Sequence, residues 1–308
     1  MSNSDKAALD SDAHPVTIFI DEHINIYEGK QAAALLQAKT GTDVPDPERG
    51  VTQVGSTRWQ EAQRYERRSW LEKGRWIFTD RNENHQARFA NYVSLSGRKF
   101  KRGIELGCGP FTNLRLILEH CAVEQIYLLD PLIVDYRALP FCRYQHCRLG
   151  GIFNDNLARL PVYLRHPRGF LQTKINDWKI GGWFGRSLVL ESSMIETYKT
   201  DQRFDLVVMI NVLEHCQDAM AVLNKIDELL TPDGILVFHD RLYQAREVER
   251  IANAIYDAGH PLRVAQPVID EFLDHHFLPL MRAQYLVQSE FRGSLLHYHD
   301  LYFIGKKH

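Results

Sequence analysis

The chain has 308 residues, of which 44% are hydrophobic and 25% are charged, and its formal net charge is −2. These values are typical of a globular protein, and the nearly balanced charge does not favour a nucleic-acid partner. No apolar run in the sequence is long enough to span a bilayer, which argues against a membrane protein.

The cysteines and the first residues bear on the compartment. The five cysteines are scattered and odd in number, so we interpret them as free thiols rather than a disulfide framework. Cys142 and Cys147 are too far apart for the Cys-x2-Cys pair of a zinc knuckle. The N-terminal segment is polar and lacks the apolar core of a signal peptide, so we expect a cytoplasmic protein.

The first hundred residues are predicted to form an N-terminal arm and a helical lid (1–99) in front of the main domain (100–308), with residues 1–14 as a loose polar arm. The other predicted elements are an edge strand at 16–20, a short helix at 31–38, a proline-containing loop at 42–55 and two helices at 56–71 and 84–94. The charged face of the predicted helix at 56–71 contains Glu66 and is expected to face solvent.

Residues 103–130 contain the clearest pattern of the chain, which is a strand, a glycine turn, a helix and a second strand. Gly107 and Gly109 follow the first strand and allow a sharp turn that a ligand can approach closely. Asp130 follows the second strand. Ligands bind at this end of the strands in open parallel sheets, and Asp130 is placed there to accept two hydrogen bonds from a ribose diol.

The rest of the chain continues the alternation of strands and helices. An insertion at about 137–186 interrupts it, with interleaved basic and aromatic residues, and is expected to be either functional or a surface decoration. The predicted elements after it are strands at 187–190, 205–210 and 235–239, helices at 218–230 and 246–258, a turn at 231–234 and two terminal strands at 283–290 and 300–305.

Three of these segments form a pattern when they are taken together. They are 105–109 (Glu-Leu-Gly-Cys-Gly), 204–215 and 229–238, in that order. A dinucleotide-binding fold would have a third glycine where this chain has Thr112. With an acid two residues before the first glycine, the chain instead resembles the class I S-adenosylmethionine-dependent methyltransferases over about residues 100–240. The resemblance implies an α/β fold, doubly wound, with a mostly parallel seven-stranded sheet that ends in an antiparallel C-terminal hairpin.

The resemblance also implies a set of residues around S-adenosylmethionine. Glu105 is expected near the methionine end of the cofactor, where it organises the loop and the ammonium group. Glu191 or Ser192 is expected at the edge of the adenine ring, and Met194 against its face. The remaining residues that the resemblance places at the cofactor are Gly107, Cys108, Gly109, Thr112, Asp130, Pro131, Asn211 and Val212.

The methyl acceptor is expected near the carboxyl ends of the fourth and fifth strands, where the chain has several polar residues. His215 is the leading candidate for a general base, because an imidazole titrates near neutral pH. His239 and Asp240 are further candidates for acting on the acceptor, and Asp240 could orient it or bind a metal.

Paired histidines raise the question of a metal site. His275 and His276 are adjacent, and adjacent residues on a strand point to opposite faces, so they are not expected to share an ion. His297 and His299 could share a face, and Asp240 could join them only if the fold allows it. We assign no metal ligand from the sequence.

The sequence therefore predicts an enzyme that methylates a small-molecule acceptor, with oxygen favoured over nitrogen or carbon, and with the insertion either covering the acceptor or forming a subunit contact. No nucleic-acid or membrane partner is expected, and a homodimer is left open. One alternative is an S-adenosylmethionine-binding regulatory or partner subunit without its own catalysis, which product formation would exclude. Another is a nicotinamide-dependent oxidoreductase, against which Glu105 and Thr112 argue and which NAD(H) binding would reveal.

Overall fold

The computed structural model describes residues 17–20, 25–27, 46–71, 82–139, 142, 144, 187–244, 247–248, 255–291 and 294–308. The predicted arm at 1–14, the helix at 31–38 and almost all of the insertion at 137–186 lie outside the described residues. The division of the chain at residue 99 stays a prediction.

The described residues form short and long strands in alternation with helices. The strands are β1 (Thr17–Ile20), β2 (Asn25–Tyr27), β3 (Gly50–Val51), β4 (Lys99–Leu106), β5 (Ala122–Leu129), β6 (Ser187–Glu191), β7 (Phe204–Ile210), β8 (Leu230–Leu242), β9 (Ile255–Tyr256), β10 (Arg263–Val264), β11 (Phe277–Phe291) and β12 (Ser294–Lys307). The α-helices are α1 (Ser56–Leu71), α2 (Asn82–Arg88), α3 (Leu114–Ile117), α4 (Ile133–Arg137), α5 (Ala219–Leu229) and α6 (Gln266–His276), and 3₁₀ turns occupy Ala90–Leu95 and Leu213–His215.

A seven-stranded sheet with the order β11-β12-β8-β7-β4-β5-β6 is the centre of the fold. The five strands from β8 to β6 in this order are parallel, whereas β12 is antiparallel to both β8 and β11. The predicted doubly wound sheet with an antiparallel C-terminal hairpin is therefore confirmed. The strand order reverses at β4, so the carboxyl ends of β4 and β7 border the crevice where such sheets bind ligands.

Both faces of the sheet are buried, which explains why the central strands are almost continuously apolar. In β7, Val207 and Met209 pack on one face with helices α5 and α6, while Leu206 and Val208 pack on the other. The second face is covered by α3 and by the 3₁₀ turn at Ala90–Leu95. The alternation follows from the two-residue period of a strand.

Helix α1 begins at Ser56 and ends at Leu71, as predicted, and lies against the carboxyl edge of the sheet. Its buried Arg58 donates hydrogen bonds to the backbone oxygens of Ala258, at 2.9 Å, and Asp257. Further along, Arg67 pairs with Asp135 of α4 at 2.9 Å. These contacts fix the helix at both ends across the binding edge.

Several predicted boundaries were wrong. The predicted helix at 84–94 is divided into α2 and a 3₁₀ turn, because Ala90, Asn91 and Tyr92 have positive φ. The predicted turn at 231–234 lies within β8, where Asp233 has φ of +65° and the pairing with β7 shifts register.

Long-range pairing overturned other local predictions. Part of the predicted helix at 246–258 is strand β9, which pairs with β1, and part of the predicted loop at 42–55 is β3, which pairs with β10. His275 and His276 end helix α6 rather than lying on a strand. Among the helices that the structure describes, none combines the length and hydropathy needed to cross a membrane.

Candidate active site

The carboxylate of Glu105 accepts most of the hydrogen bonds that hold the residues after the glycine turn. It is fully buried and accepts hydrogen bonds from Thr112 Oγ1, from Asn113 N and Nδ2 at 2.7 and 3.1 Å, and from Leu114 N at 3.2 Å. Burial raises the pKa of Glu105, although these hydrogen bonds act in the opposite direction. Its two oxygens are therefore directed at the start of α3. Glu105 lines neither cavity described below and stabilises the loop from the protein interior.

The two glycines of the turn have different surroundings. Gly107 has φ of +67°, and a Cβ there would lie 2.4 Å from Cγ1 of Val212. Gly109 has φ of +53°, and a Cβ there would meet no atom within 4 Å. Gly107 thus permits close packing of the loop after β4 on the loop after β7, whereas Gly109 faces open space.

Asp130 follows β5 and lies beside the same turn. Its Oδ2 accepts a hydrogen bond from Gly109 N at 3.1 Å, and its Oδ1 accepts one from Leu132 N at 2.8 Å. Burial, together with the negative charges of Glu66 and Glu105, raises the pKa of Asp130 to about 6, although the backbone hydrogen bonds oppose this rise. The carboxylate is thus a preorganised acceptor at the carboxyl edge of the sheet.

A cavity of about 150 Å³ has Asp130 in its wall. The other wall residues are Trp59, Gln63, Glu66, Trp70, Gly107, Gly109, Pro131, Leu132, Tyr136, Met194, Ile195, Glu196, Asn211, Val212, His215 and Cys216. Met194 lies in this wall, as a residue against the adenine face would. Glu191 and Ser192 do not line it: the backbone oxygen of Glu191 accepts Asp130 N at 3.1 Å, and the exposed Ser192 hydroxyl donates to Pro131 O at 3.3 Å.

A second cavity of about 440 Å³ adjoins the first. Glu66, Trp70, Gly107, Gly109, Asn211 and His215 belong to both walls. The larger cavity also contains Cys108, whose thiol donates to Tyr144 Oη over 3.7 Å and whose pKa burial raises well above the ordinary value. The polar residues found only in its wall include His85, Arg88, His239, Arg241, His260, Asp300 and Tyr302.

Two of the three residues predicted to act on the acceptor lie in the wall of the larger cavity. His215 Nδ1 is 3.0 Å from the carbonyl oxygen of Gly259, and a carbonyl can only accept, so Nδ1 donates this hydrogen bond and, in the neutral ring, Nε2 has the lone pair. His239 Nδ1 likewise donates to Leu301 O at 2.9 Å. Burial, with His85 nearby, lowers the pKa of His239 well below the ordinary value, and its ring stacks on Tyr302 with centroids 4.2 Å apart.

The third, Asp240, points away from both cavities. Its Oδ2 accepts hydrogen bonds from Val212 N at 3.0 Å and Leu213 N at 2.6 Å, and its Oδ1 accepts one from Arg241 N at 2.8 Å. Burial and the charge of Glu214 raise the pKa of Asp240 to about 7. In this geometry Asp240 connects the ends of β7 and β8, and it makes no contact with His299 among the described residues; the side chain of His297 lies outside them.

Helix α1 contributes Glu66, which the sequence analysis assigned to solvent. Glu66 lies in both cavity walls and accepts a hydrogen bond from Trp70 Nε1 at 3.1 Å. Trp59, Gln63, Glu66 and Trp70 line the smaller cavity and follow one another by four, three and four positions. This helical spacing was the available signal for an inward face, and the charges around it obscured the signal.

A cluster of ionisable groups occupies one side of the larger cavity. Glu214 is buried, and its Oε1 lies 3.4 Å from Arg241 Nη1 and 3.5 Å from His260 Nε2. His260 Nδ1 is 2.7 Å from Asp257 Oδ2. Burial opposes charge on His260, but the carboxylates of Asp257 and Glu214 outweigh it and raise its pKa to about 9. His260 comes from a loop between β9 and β10, so only the tertiary fold brings it to this place.

Residues 78–286, more than half of the chain, match a family model described as a methyltransferase domain. A comparison with curated proteins finds no significant match.

The solved structures that match this chain include three bacterial methyltransferases. The N-methyltransferase NodS from Bradyrhizobium japonicum WM9, in complex with S-adenosyl-L-homocysteine, has 17% identity and a TM-score of 0.44, with 81% of this chain and 98% of that chain covered. The 1,6-didemethyltoxoflavin-N1-methyltransferase from Burkholderia thailandensis has 17% identity and a TM-score of 0.42, with 86% and 97% covered. Magnesium protoporphyrin IX methyltransferase from Synechocystis PCC 6803 has 12% identity and a TM-score of 0.41, with 80% and 97% covered.

Proposed function

We propose, since this chain belongs to the class I S-adenosylmethionine-dependent methyltransferase family, that it transfers a methyl group to a hydroxyl group of a small molecule. The observation that supports this most directly is the contact between the two cavities. The smaller one contains Asp130 and the glycine turn, and the larger one adjoins it under helix α1. An acceptor of limited size in the larger cavity would lie next to a cofactor in the smaller one.

The residues of the smaller cavity suit S-adenosylmethionine. Asp130 offers a carboxylate for a ribose diol, Met194 and Ile195 offer apolar contacts for a ring, and the open space at Gly109 leaves room for a ligand beside the backbone. When bound, the cofactor supplies a methyl group on a sulfonium, which is a good leaving group. The protein is then required mainly to position the acceptor and to manage its proton.

His215 is the residue that we assign to activating the acceptor. It lies in the walls of both cavities, and the Gly259 carbonyl orients its ring so that, in the neutral form, Nε2 is the nitrogen able to accept a proton. A hydroxyl that gains a methyl group must lose its proton, and removing that proton is the chemistry an imidazole or its partners can provide. His239, neutral and also in the wall, is placed to accept a hydrogen bond from the acceptor.

The first test is calorimetric titration with S-adenosylhomocysteine, with NAD in a parallel cell. We expect micromolar binding of the first ligand and none of the second. The protein is then incubated with methyl-labelled S-adenosylmethionine and a panel of small hydroxylated and aminated molecules. Label on a hydroxyl would support the proposal, label only on amines would reassign the methylated atom, and binding without transfer would favour a regulatory subunit.

The role of His215 is tested by His215→Asn. We expect kcat to fall by about 100-fold or more, as for loss of an acid–base group. The dissociation constant of S-adenosylhomocysteine should change less than threefold. His276→Asn, which alters a histidine on α6 that pairs with Asp227, is the matched control and should leave kcat unchanged. Equal kcat in both variants would remove His215 from the chemistry.

A further inference from the structure

Three potential metal ligands from separate parts of the chain converge at the junction of the two cavities. Glu66 comes from helix α1, His215 from the 3₁₀ turn after β7, and His260 from the loop before β10. One ligand atom of each lies within 4.8 Å of the others. All three side chains are partly exposed, so an ion could reach them from the larger cavity.

Both imidazoles are oriented by a partner on one ring nitrogen. His215 uses Nδ1 toward Gly259 O at 3.0 Å, and His260 uses Nδ1 toward Asp257 Oδ2 at 2.7 Å. Metal-binding histidines commonly have this arrangement, in which a carbonyl or carboxylate fixes the ring so that the other nitrogen can bind the ion. In both rings the other nitrogen is Nε2, while Glu66 Oε1 lies 3.5 Å from Nδ1 of His215, on the side of the Gly259 contact.

An independent observation comes from Glu214, which faces the same point. Its Oε1 is buried and has no hydrogen-bond partner, although it lies 3.5 Å from His260 Nε2 and 3.9 Å from His215 Nε2. A buried carboxylate oxygen without a hydrogen bond is costly, and a cation between the rings would add to the compensation that Arg241 Nη1 provides at 3.4 Å.

The local charge is consistent with a divalent ion. An ion at His260 would displace the proton that the neighbouring carboxylates favour there, and the carboxylates of Glu66, Glu214 and Asp257 with the guanidinium of Arg241 would then carry a net charge of −2. The neighbouring ring of Tyr298 carries no charge of its own and holds the guanidinium of Arg241 at 5.3 Å from its centroid.

We propose that Glu66, His215 and His260 bind a divalent transition-metal ion, with Glu214 beside it as a fourth ligand or a charge partner. Two imidazoles and one carboxylate are a donor set that zinc and related ions prefer. The inference rests on the proposed function and changes the part of His215 in it: with Nε2 on the ion, His215 would act as a ligand, the ion would lower the pKa of a coordinated hydroxyl, and the hydroxyl proton would leave to solvent. The binding itself is independent of turnover.

The test uses full-length, untagged protein that has been treated with a chelator and dialysed. Zn²⁺ binding is measured by calorimetry, and Co²⁺ binding by its visible absorption, which reports the coordination number. We expect one ion per chain and tetrahedral or five-coordinate Co²⁺. Glu66→Gln and His260→Ala should weaken binding by at least tenfold. The control His276→Asn, which removes one of the adjacent pair on α6, should bind as the wild type does.

A further variant examines the supporting contacts. Asp257→Asn keeps all three ligands but changes the partner of His260 Nδ1, and loss of such a partner typically costs 10- to 100-fold in metal affinity. Glu66→Gln lies on the lid helix and retains an oxygen for Trp70 Nε1, so it should fold even if His260→Ala does not. Unaltered Zn²⁺ affinity in Glu66→Gln and in Asp257→Asn would overturn the proposal, as would loss of binding in His276→Asn.

The same preparations are titrated with S-adenosylhomocysteine without metal. Cofactor binding without Zn²⁺ binding would refute the metal site and leave the methyltransferase function in place. Zn²⁺ binding at these residues without cofactor binding would support the metal site and count against the residues that we propose for the cofactor.

Discussion

The backbone N–H of Gly109 donates a hydrogen bond to Oδ2 of Asp130 over 3.1 Å. This contact joins the turn after β4 to the residue after β5, so the two parts of the candidate cofactor site are positioned by one another. A second hydrogen bond, from Leu132 N to Oδ1 at 2.8 Å, fixes the other oxygen. The carboxylate is therefore oriented before any ligand arrives, which reduces the entropic cost of binding.

Asp130→Ala should weaken binding of S-adenosylhomocysteine by about 1–3 kcal/mol, because it removes a charged hydrogen-bond acceptor for the ribose. Calorimetry gives the affinity, and a thermal melt shows whether the variant is folded. Asp233→Asn, an exposed residue that pairs with Lys306, is the control and should bind normally. Unchanged affinity in a folded Asp130→Ala protein would remove Asp130 from the cofactor site.

Binding of S-adenosylhomocysteine should also depend on pH through Asp130. Burial raises the pKa of this carboxyl to about 6, so it becomes protonated as the pH falls through 6 and loses capacity to accept hydrogen bonds. At pH 5 we expect up to about tenfold weaker binding than at pH 8. Asp130→Asn should bind weakly at both pH values, and an equally steep dependence in that variant would assign the titration to another group.

The raised pKa of Asp130 has the opposite effect on the free energy of unfolding. The folded-state pKa of Asp130 lies above its ordinary value of 3.8, so the native state holds a proton that the unfolded state has released between about pH 4 and 6. The contribution of this group to the free energy of unfolding therefore rises as the pH falls across that window. Urea titrations of the wild type and Asp130→Asn at pH 5 and 7 would measure the difference.

Gly107→Ala should be far more disruptive than Gly109→Ala. A Cβ at position 107 would lie 2.4 Å from Cγ1 of Val212, whereas a Cβ at 109 would meet no protein atom within 4 Å. Both positions have positive φ, so each substitution also costs about 1 kcal/mol of backbone strain. Urea unfolding of the single variants and of Gly107→Ala with Val212→Ala measures the clash, and the second substitution should restore part of the lost stability.

Glu105→Gln should reduce stability more than it reduces cofactor affinity. The carboxylate accepts from Thr112, Asn113 and Leu114, and an amide would direct an N–H₂ group at one set of these donors. Loss of such buried hydrogen bonds costs about 1–3 kcal/mol for each group left unpaired. The comparison requires a urea titration and a binding titration on one preparation. A variant of normal stability that binds poorly would instead place Glu105 in contact with the cofactor.

Asp240→Ala tests whether this acid has a structural or a chemical role. Its two oxygens accept three backbone N–H groups, from Val212, Leu213 and Arg241. We expect a loss of at least about 2 kcal/mol in the free energy of unfolding, since buried donors are left without partners. If the variant keeps its stability but loses methyl transfer, Asp240 acts on the acceptor after all.

The family resemblance predicted the mostly parallel seven-stranded sheet with its antiparallel C-terminal hairpin, and local patterns predicted the bounds of α1 and a glycine turn with an acid one strand later. These features depend on local patterns, since hydrophobic period, glycine and strand-end position are properties of a few consecutive residues. The same local patterns misassigned β9 and the interior of β8, where pairing with distant strands overrode the local preference.

Only the tertiary structure decided what individual side chains face. Asp240 and His239 are adjacent on β8, so they point to opposite sides, and only His239 lines the larger cavity. Glu66 and His260 reach His215 from 149 positions before it and 45 after it, which no spacing in the sequence indicates. A cluster of this kind depends on how helix α1 and the loop after β9 pack on the sheet, and that packing is a property of the whole fold.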